Sequence, residues 1–159
     1  MSSRRLTKVQ LAALSEAEDV LRASYNPYSK FSVGACLVMK DGELVAGANV
    51  ENSAYGSSLC AERAAILRAN AEGMRVIRGI AVIGKPRGTR KQSAPAEVTG
   101  PCGSCRQMLY ELAEIGGNDP WVVLATPTKG KIVVTSVRAL LPYGFGPRNL
   151  DLDVSRWRT

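Results

Sequence analysis

The sequence predicts an α/β protein, a three-layer α/β/α sandwich around one mixed five-stranded sheet. Helix-like and strand-like segments alternate in the order α-β-β-α-β-α-β-β-α, without repeats or linkers, which favours one sheet with helices on both faces. The chain has 159 residues, of which 45% are hydrophobic and 22% are charged. This composition is that of an ordinary globular protein, and we expect a single domain over residues 1–159.

The first third of the chain predicts one helix and a β-hairpin. Thr7 and Gln10 have the spacing of a capping box, and an apolar face continues from them to about Ala23. Asn26-Pro27 ends this helix. The hairpin comprises a strand of alternating apolar residues over 31–39, a tight turn at Asp41-Gly42 and a returning strand over 44–50.

The rest of the chain predicts three helices and three strands. Glycines or prolines follow the helices and separate the strands, as expected of chain-breaking residues. The expected elements are a helix over 60–72, a buried strand over 76–83, a long loop over 84–100, a helix to about 115, strands over 121–125 and 132–134, and a short helix over 136–141.

The charge and hydropathy patterns argue against nucleic acid and membranes as partners of the chain. The net charge is +7, but the basic residues are scattered, and the one continuous run, Lys85–Lys91, contains the proline and glycine of an exposed loop. We therefore expect no functional nucleic-acid binding. No apolar run is long enough to span a membrane, and Met1–Leu6 lacks the apolar core of a signal peptide, so the expected location is the cytoplasm.

The chain contains four cysteines and no histidine. The lack of histidine excludes Ser-His and Cys-His nucleophilic catalysis and any zinc site with an imidazole ligand. In a reducing compartment, cysteines indicate metal binding or catalysis rather than disulfides. Cys36 lies in an apolar run and is expected to be a buried thiol.

The other three cysteines form a pattern. Cys60 begins the phrase Cys-Ala-Glu-Arg, and Cys102 and Cys105 belong to Pro-Cys-Gly-Ser-Cys-Arg. Each phrase is typical of the first turn of a helix, and two such helix starts can direct three thiolates at one ion. Structural zinc sites have four protein ligands, whereas catalytic sites have three and leave one position for water. The pattern predicts a catalytic zinc site.

Glu62 and two arginines complete this prediction. Glu62 is two residues past Cys60 and cannot easily bind the same ion, so it can lie beside the open position and move protons between water on the metal and the substrate. Three thiolates give zinc a net negative site. Arg63 and Arg106, together with the positive ends of two helices, can offset that charge.

Two other interpretations of these cysteines stay open on spacing alone. A structural zinc site would need Cys36 or a carboxylate as a fourth ligand. A redox-active Cys-x-x-Cys pair would leave Cys60 and Glu62 without a role.

The two cysteine phrases resemble the zinc signature of the cytidine deaminase superfamily. Because the first ligand is a cysteine, the chain is similar to the small, homotetrameric, free-nucleoside cytidine deaminases. Three further segments resemble motifs of that family: Tyr25–Ala35, the Gly47–Gly56 loop that would bind the nucleoside, and Leu140–Pro147 near the C-terminus. The fold implied is the cytidine deaminase fold.

The resemblance implies a role for each matched residue. Cys60, Cys102 and Cys105 would bind one zinc ion per subunit, and Glu62 would shuttle protons. Arg63 would hydrogen-bond the ligand thiolates, and Arg106 would support the site. The implied substrate-binding residues are Phe31 against the pyrimidine, Asn49 and Glu51 on the ribose 3′-hydroxyl, Ala61, Phe145 closing the pocket, and Ala54 and Tyr55 reaching a neighbouring subunit's site.

The implied activity is hydrolytic deamination of free cytidine and deoxycytidine. A blasticidin-type aminonucleoside deaminase is the nearest alternative, a polynucleotide-editing deaminase is a second, and a structural zinc module is a third. Phe31 and Phe145 could instead be ordinary core aromatics. The chain also departs from the usual family pattern at four places, which leaves tolerance of modified cytidines open. These places are Ser53-Ala54, Gly100, the Tyr143-Gly144 pair and the basic Lys85–Lys91 loop.

Overall fold

The computed structural model describes residues 5–88 and 95–158. Within them, five strands form one sheet in the order β2-β1-β3-β4-β5, as the sequence predicts. The strands are β1 Phe31–Met39, β2 Leu44–Ala48, β3 Ile77–Pro86, β4 Trp121–Ala125 and β5 Ile132–Ser136. The helices are α1 Lys8–Asp19, α2 Ala61–Ala71, α3 Gly103–Gly116 and α4 Val137–Leu140.

The sheet is mixed because one of its four strand pairs is parallel. β1 pairs antiparallel with both β2 and β3, and β4 pairs antiparallel with β5. β3 and β4 run parallel. A parallel pair needs a crossover connection, and α3 supplies it.

Helices cover both faces of the sheet, which confirms the three-layer arrangement. α1 packs on one face through Ala13, Leu14 and Ala17, against strand residues that include Cys36 and Val123. α2 and α3 pack on the other face in a larger apolar cluster. The two cysteine phrases therefore belong to helices on the same side of the sheet.

The capping box at the start of α1 is present. The Thr7 hydroxyl accepts from the Gln10 backbone N–H, and the Gln10 side chain accepts from the Thr7 N–H. The regular helix ends earlier than predicted, at Asp19, and a 3₁₀ turn continues over Val20–Ala23. The start of α1 is therefore predicted correctly and its end is not, because the spacing of apolar residues does not show where the last turn tightens into a 3₁₀ helix.

Three strand ends differ from prediction, and β5 continues to Ser136, two residues past its predicted end. β3 continues to Pro86, where Lys85 pairs with Ser32 and Pro86 with Phe31. The loop-like composition of residues 84–86 concealed this extension. β2 ends at Ala48 rather than at residue 50, because Val50 makes separate bridges to Tyr25 and Leu59.

The basic Lys85–Lys91 segment is only partly described. Lys85 belongs to β3, whereas residues 89–91 lie outside the described ranges. Among residues 5–88 and 95–158, no helix has both the length and the apolarity that crossing a membrane requires.

Gly47 allows α2 to approach the sheet closely. A methyl group added at Gly47 would lie 2.6 Å from the Ala61 carbonyl oxygen and would also overlap the Ala65 backbone. These distances are shorter than any normal contact, and helix backbone cannot move aside as a flexible side chain can. The start of α2, and with it Cys60, is therefore set by direct backbone contact with β2.

We predict that Gly47→Ala destabilises the protein by roughly 1–3 kcal/mol, since overpacking forces backbone shifts. Urea or thermal unfolding would measure the loss. Gly56→Ala is the matched control, because an added methyl there has no heavy atom within 4 Å. Equal stability of the two variants would contradict the close packing of α2 on β2.

Candidate active site

Two helix starts meet at the cysteine cluster. Cys60 is the N-cap of α2 and Cys102 is the N-cap of α3, and neither side chain caps its own helix. Cys105 lies in the first turn of α3 and is buried. N-cap side chains usually accept from the first free N–H groups of the helix. Here both sulfurs remain available for another partner.

The three sulfurs are spaced as ligands of one zinc ion. Cys60 Sγ lies 3.6 Å from Cys102 Sγ, and Cys102 Sγ lies 3.4 Å from Cys105 Sγ. All three sulfurs lie within 4.8 Å of one another. Tetrahedral zinc with Zn–S bonds of about 2.3 Å separates its sulfurs by about 3.8 Å. The residues present therefore fit zinc.

The donor set has three members, as a catalytic site requires. Among residues 5–88 and 95–158, no other histidine, cysteine or carboxylate joins the cluster, and the remaining segments contain no such side chain. Cys36 is buried on β1 in the cluster that faces α1. None of the described side chains therefore supplies the fourth protein ligand that a structural zinc site has.

Arg63 supports the negative charge of this cluster. Its Nη2 donates to Cys60 Sγ at 3.9 Å and to the Ser58 carbonyl at 3.1 Å. Hydrogen bonding from Cys105, followed by hydrogen bonding from Arg63, lowers the pKa of Cys60 to about 5, although burial acts in the opposite direction. The hydrogen bond between Cys105 and Cys60, together with burial, raises the pKa of Cys105. These hydrogen bonds therefore favour a thiolate at Cys60.

Glu62 is a buried carboxyl group next to the cluster. It is 2% exposed, in the first turn of α2, and does not belong to the group of three ligands. Burial raises its pKa to about 7, and the charge of Cys60 adds to this effect. A carboxyl group with this pKa can both accept and release a proton near neutral pH, as a general acid–base catalyst must.

The predicted nucleoside loop is tied to Cys60 through the backbone. Val50 and Leu59 exchange two hydrogen bonds, of 3.0 and 2.8 Å. On the other side of this segment, Glu51 N donates to Tyr25 O at 2.8 Å. Since Leu59 precedes Cys60 directly, these bonds hold residues 49–51 beside the start of α2.

Asn49 and Glu51 already make hydrogen bonds to the backbone. Asn49 Oδ1 accepts from Val33 N and its Nδ2 donates to Phe31 O, both at 2.9 Å. The Glu51 carboxylate accepts from the N–H groups of Tyr28 and Ser29 at 2.9 to 3.3 Å. An amide and a carboxylate each have further hydrogen-bonding capacity. These bonds orient both side chains and leave capacity for a sugar hydroxyl.

Two further predicted substrate contacts differ in burial. The Phe31 ring is half-buried and packs close to Gly84, where an added methyl would lie 2.8 Å from ring carbon Cε1. The Ala61 side chain is fully buried in the core between α2 and the sheet. Ala61 can therefore offer a substrate only its backbone, whose N–H is one of those left free at a helix start.

Three predicted substrate residues lie at the surface. Tyr55 is 72% exposed and meets the Tyr28 ring edge-on, with 5.3 Å between ring centroids. Ala54 is exposed, and its N–H donates to Asn52. Phe145 is 59% exposed, which excludes an ordinary core role within this chain. Large exposed aromatic groups of this kind suit contacts with a ligand or another chain.

Arg106 makes contacts other than those expected. Its Nε donates to Pro101 O at 2.8 Å and its Nη1 to Leu140 O at 3.1 Å. It thus connects the start of α3 to the C-terminal segment, whereas Arg63 contacts sulfur. Gln107 donates to Phe145 O at 2.8 Å. Sequence reasoning gave Gln107 no role, although this residue directly follows the Pro-Cys-Gly-Ser-Cys-Arg phrase.

The fold and the cluster define an α/β/α protein with a zinc centre of three thiolates and an adjacent buried carboxyl group. Residues 7–116 match the family model for the cytidine and deoxycytidylate deaminase zinc-binding region. The chain belongs to this family.

Individual relatives agree with that assignment. The chain is 37% identical over 138 residues to the cytidine deaminase of Sporosarcina psychrophila, covering 87% of this chain and 92% of the relative. The corresponding values for the Halalkalibacterium halodurans cytidine deaminase are 39% identity, 87% and 95%. The crystal structure of the Burkholderia pseudomallei cytidine deaminase matches with a TM-score of 0.74 at 39% identity, covering 88% of this chain and all of that one.

We predict that Cys105→Ala lowers the zinc content well below one ion per chain, because two thiolates bind zinc less firmly than three. Metal analysis after dialysis against a weak chelator would measure it. Cys36→Ala is the matched control and should keep the metal, since its thiol lies in the cluster facing α1. Full zinc content in Cys105→Ala would remove this residue from the ligand set.

Proposed function

We propose that this chain catalyses the zinc-dependent hydrolytic deamination of cytidine and deoxycytidine to uridine and deoxyuridine, with release of ammonia, as a step of pyrimidine salvage. The observation that carries the proposal is a three-thiolate cluster with buried Glu62 beside it, in a member of the deaminase family. The reaction consumes one water per nucleoside and replaces the amino group on C4 of the ring with oxygen.

Zinc bound by Cys60, Cys102 and Cys105 would supply Lewis acidity and make water a nucleophile near neutral pH. Glu62 would accept a proton from the attacking water and deliver it to N3 of the pyrimidine. Glu62 would then take the second proton of that water from the new hydroxyl on C4 and pass it to the amino group, which leaves as ammonia while C4 becomes a carbonyl. Burial suits Glu62 to this task, because the raised pKa matches a group that gains and loses a proton in each cycle.

Nucleoside binding would use residues on three segments of this chain. Phe31 would pack on the base, and Phe145 would close the pocket. Asn49 and Glu51 would hold the ribose 3′-hydroxyl from positions fixed by their backbone hydrogen bonds. The backbone of Ala61, at the open start of α2, would contact the substrate. These contacts favour a free nucleoside over a polynucleotide or an aminonucleoside antibiotic.

We further propose that the chain is one catalytic domain that acts as a homotetramer, with Ala54 and Tyr55 entering a neighbouring subunit's site. Support comes from the exposed aromatic side chains of Tyr28 and Tyr55, which lie beside the nucleoside loop. A cytoplasmic location would suit a zinc site of three thiolates, because a reducing compartment keeps them available.

Ammonia release from a panel of bases and nucleosides tests the activity directly. We expect turnover of cytidine and deoxycytidine, and none of cytosine or of cytidine oligonucleotides, because ribose contacts and a free nucleoside are both required. N4-modified cytidines and blasticidin belong in the panel. Turnover of blasticidin alone would replace the proposal with the antibiotic deaminase, and no turnover by the zinc-loaded protein would refute it.

We predict that Glu62→Gln retains one zinc per chain and lowers kcat for cytidine by about 10²-fold or more, since an amide cannot shuttle protons. Glu72→Gln, at the other end of α2, is the matched control, because Glu72 is exposed and its carboxylate pairs with Arg68 at the surface. Near-parental turnover by zinc-loaded Glu62→Gln would mean that another group moves the protons.

A further inference from the structure

The C-terminal segment that carries Phe145 is attached to α3 at several points. Arg106 donates to Leu140 O, and Gln107 donates to Phe145 O. Beyond Phe145, Gly146 N donates to the Asn149 side chain at 2.9 Å. The segment therefore has a defined backbone path, although the Phe145 ring itself is at the surface.

Tyr110 lies directly beneath this path. A methyl group added at Gly144 would lie 2.7 Å from Tyr110 Cε2, and one added at Gly146 would lie 2.7 Å from Cε1. Carbon atoms normally pack at about 3.5–4.0 Å. The two glycines thus approach opposite edges of one aromatic ring. Neither is among the glycines with positive φ, so close approach explains the choice of residue.

The Tyr110 ring is itself fixed in place. It is buried, and the Arg138 guanidinium lies 5.4 Å from the ring centroid. Arg138 in turn pairs with the buried carboxylate of Glu114 at 2.8 Å, one helical turn after Tyr110. A buried ring with a cation on its face, where that cation is itself held by an ion pair, can act as a rigid support.

The residue before Gly144 shows how firmly the segment is held. Tyr143 has a φ of 55°, in the left-handed region, and its side chain is fully exposed. Such a conformation persists in a non-glycine residue only where the surroundings impose it. The hydrogen bond at Leu140 and the contact of Gly144 with Tyr110, on either side of Tyr143, supply that constraint.

We propose that Tyr110 is a positioning residue for nucleoside binding. Its ring supports Gly144 and Gly146 and thereby determines where Phe145 presents its side chain to the nucleoside. This inference rests on the proposed function, in which Phe145 contacts the substrate. Cys102 and Cys105 lie at the start of α3, and Tyr110 lies further along the same helix. One helix would therefore position two of the metal ligands and, through Tyr110, the Phe145 side chain.

The test compares zinc-loaded full-length Gly144→Ala with the parent and with Gly130→Ala. An added methyl at Gly130, in a distant turn, meets only the Thr128 hydroxyl at 3.4 Å. In Gly144→Ala we expect KM for cytidine to rise about tenfold or more, because small displacements of positioning groups are costly. We expect kcat and zinc content to stay near parental values, and the Gly146 amide to exchange its hydrogen faster. Gly130→Ala should match the parent throughout.

Repeating Gly144→Ala in a Tyr110 variant tests whether the Tyr110 ring causes the rise in KM. Tyr110→Ala removes all three ring atoms that the added methyl would meet, Cδ2, Cε2 and Cζ, so Gly144→Ala should change KM far less in that background. An unchanged KM in Gly144→Ala, an equal KM increase in both backgrounds, or a parallel loss of zinc and kcat would each overturn the inference. An inactive zinc-loaded parent would instead refute the proposed function, and the amide exchange rates would still decide whether Tyr110 holds the segment.

Discussion

The convergence of two helix N-termini on one side of the sheet is the constraint on which the rest of this site depends. α2 and α3 begin at Cys60 and Cys102, whose side chains leave their own helix ends uncapped. The N–H groups of the first helical turns and the helix dipoles therefore place partial positive charge where three thiolates collect. Gly47 contributes to this geometry, because its lack of a side chain lets α2 rest directly on β2.

Charge balance explains the division of labour between the two arginines. Three thiolates around Zn²⁺ have a net charge of −1, which would weaken the metal as a Lewis acid. Arg63 donates to Cys60 Sγ and so offsets that charge directly. Arg106, one residue after Cys105, instead bonds the carbonyls of Pro101 and Leu140. One arginine therefore acts on the electrostatics of the centre, and the other on the position of the segments around it.

The parts predicted well are those encoded by local chemistry. The capping box at Thr7, the Asp41-Gly42 turn and the two cysteine phrases each depend on residues close in sequence. The end of β3 was missed because Lys85 and Pro86 resemble loop residues, and only pairing with Ser32 and Phe31 makes them a strand. Tyr110 was missed for a similar reason, since its partners Gly144 and Gly146 lie more than thirty residues away.

The contact between Tyr110 and Gly144 also accounts for a departure from the family pattern. A glycine at position 144 would be expected to loosen the segment before Phe145, because glycine has the greatest backbone freedom. Here it has the opposite effect, since a side chain at this position could not fit against the Tyr110 ring. The backbone before Phe145 is therefore held by its close packing on the Tyr110 ring rather than loosened by the glycine.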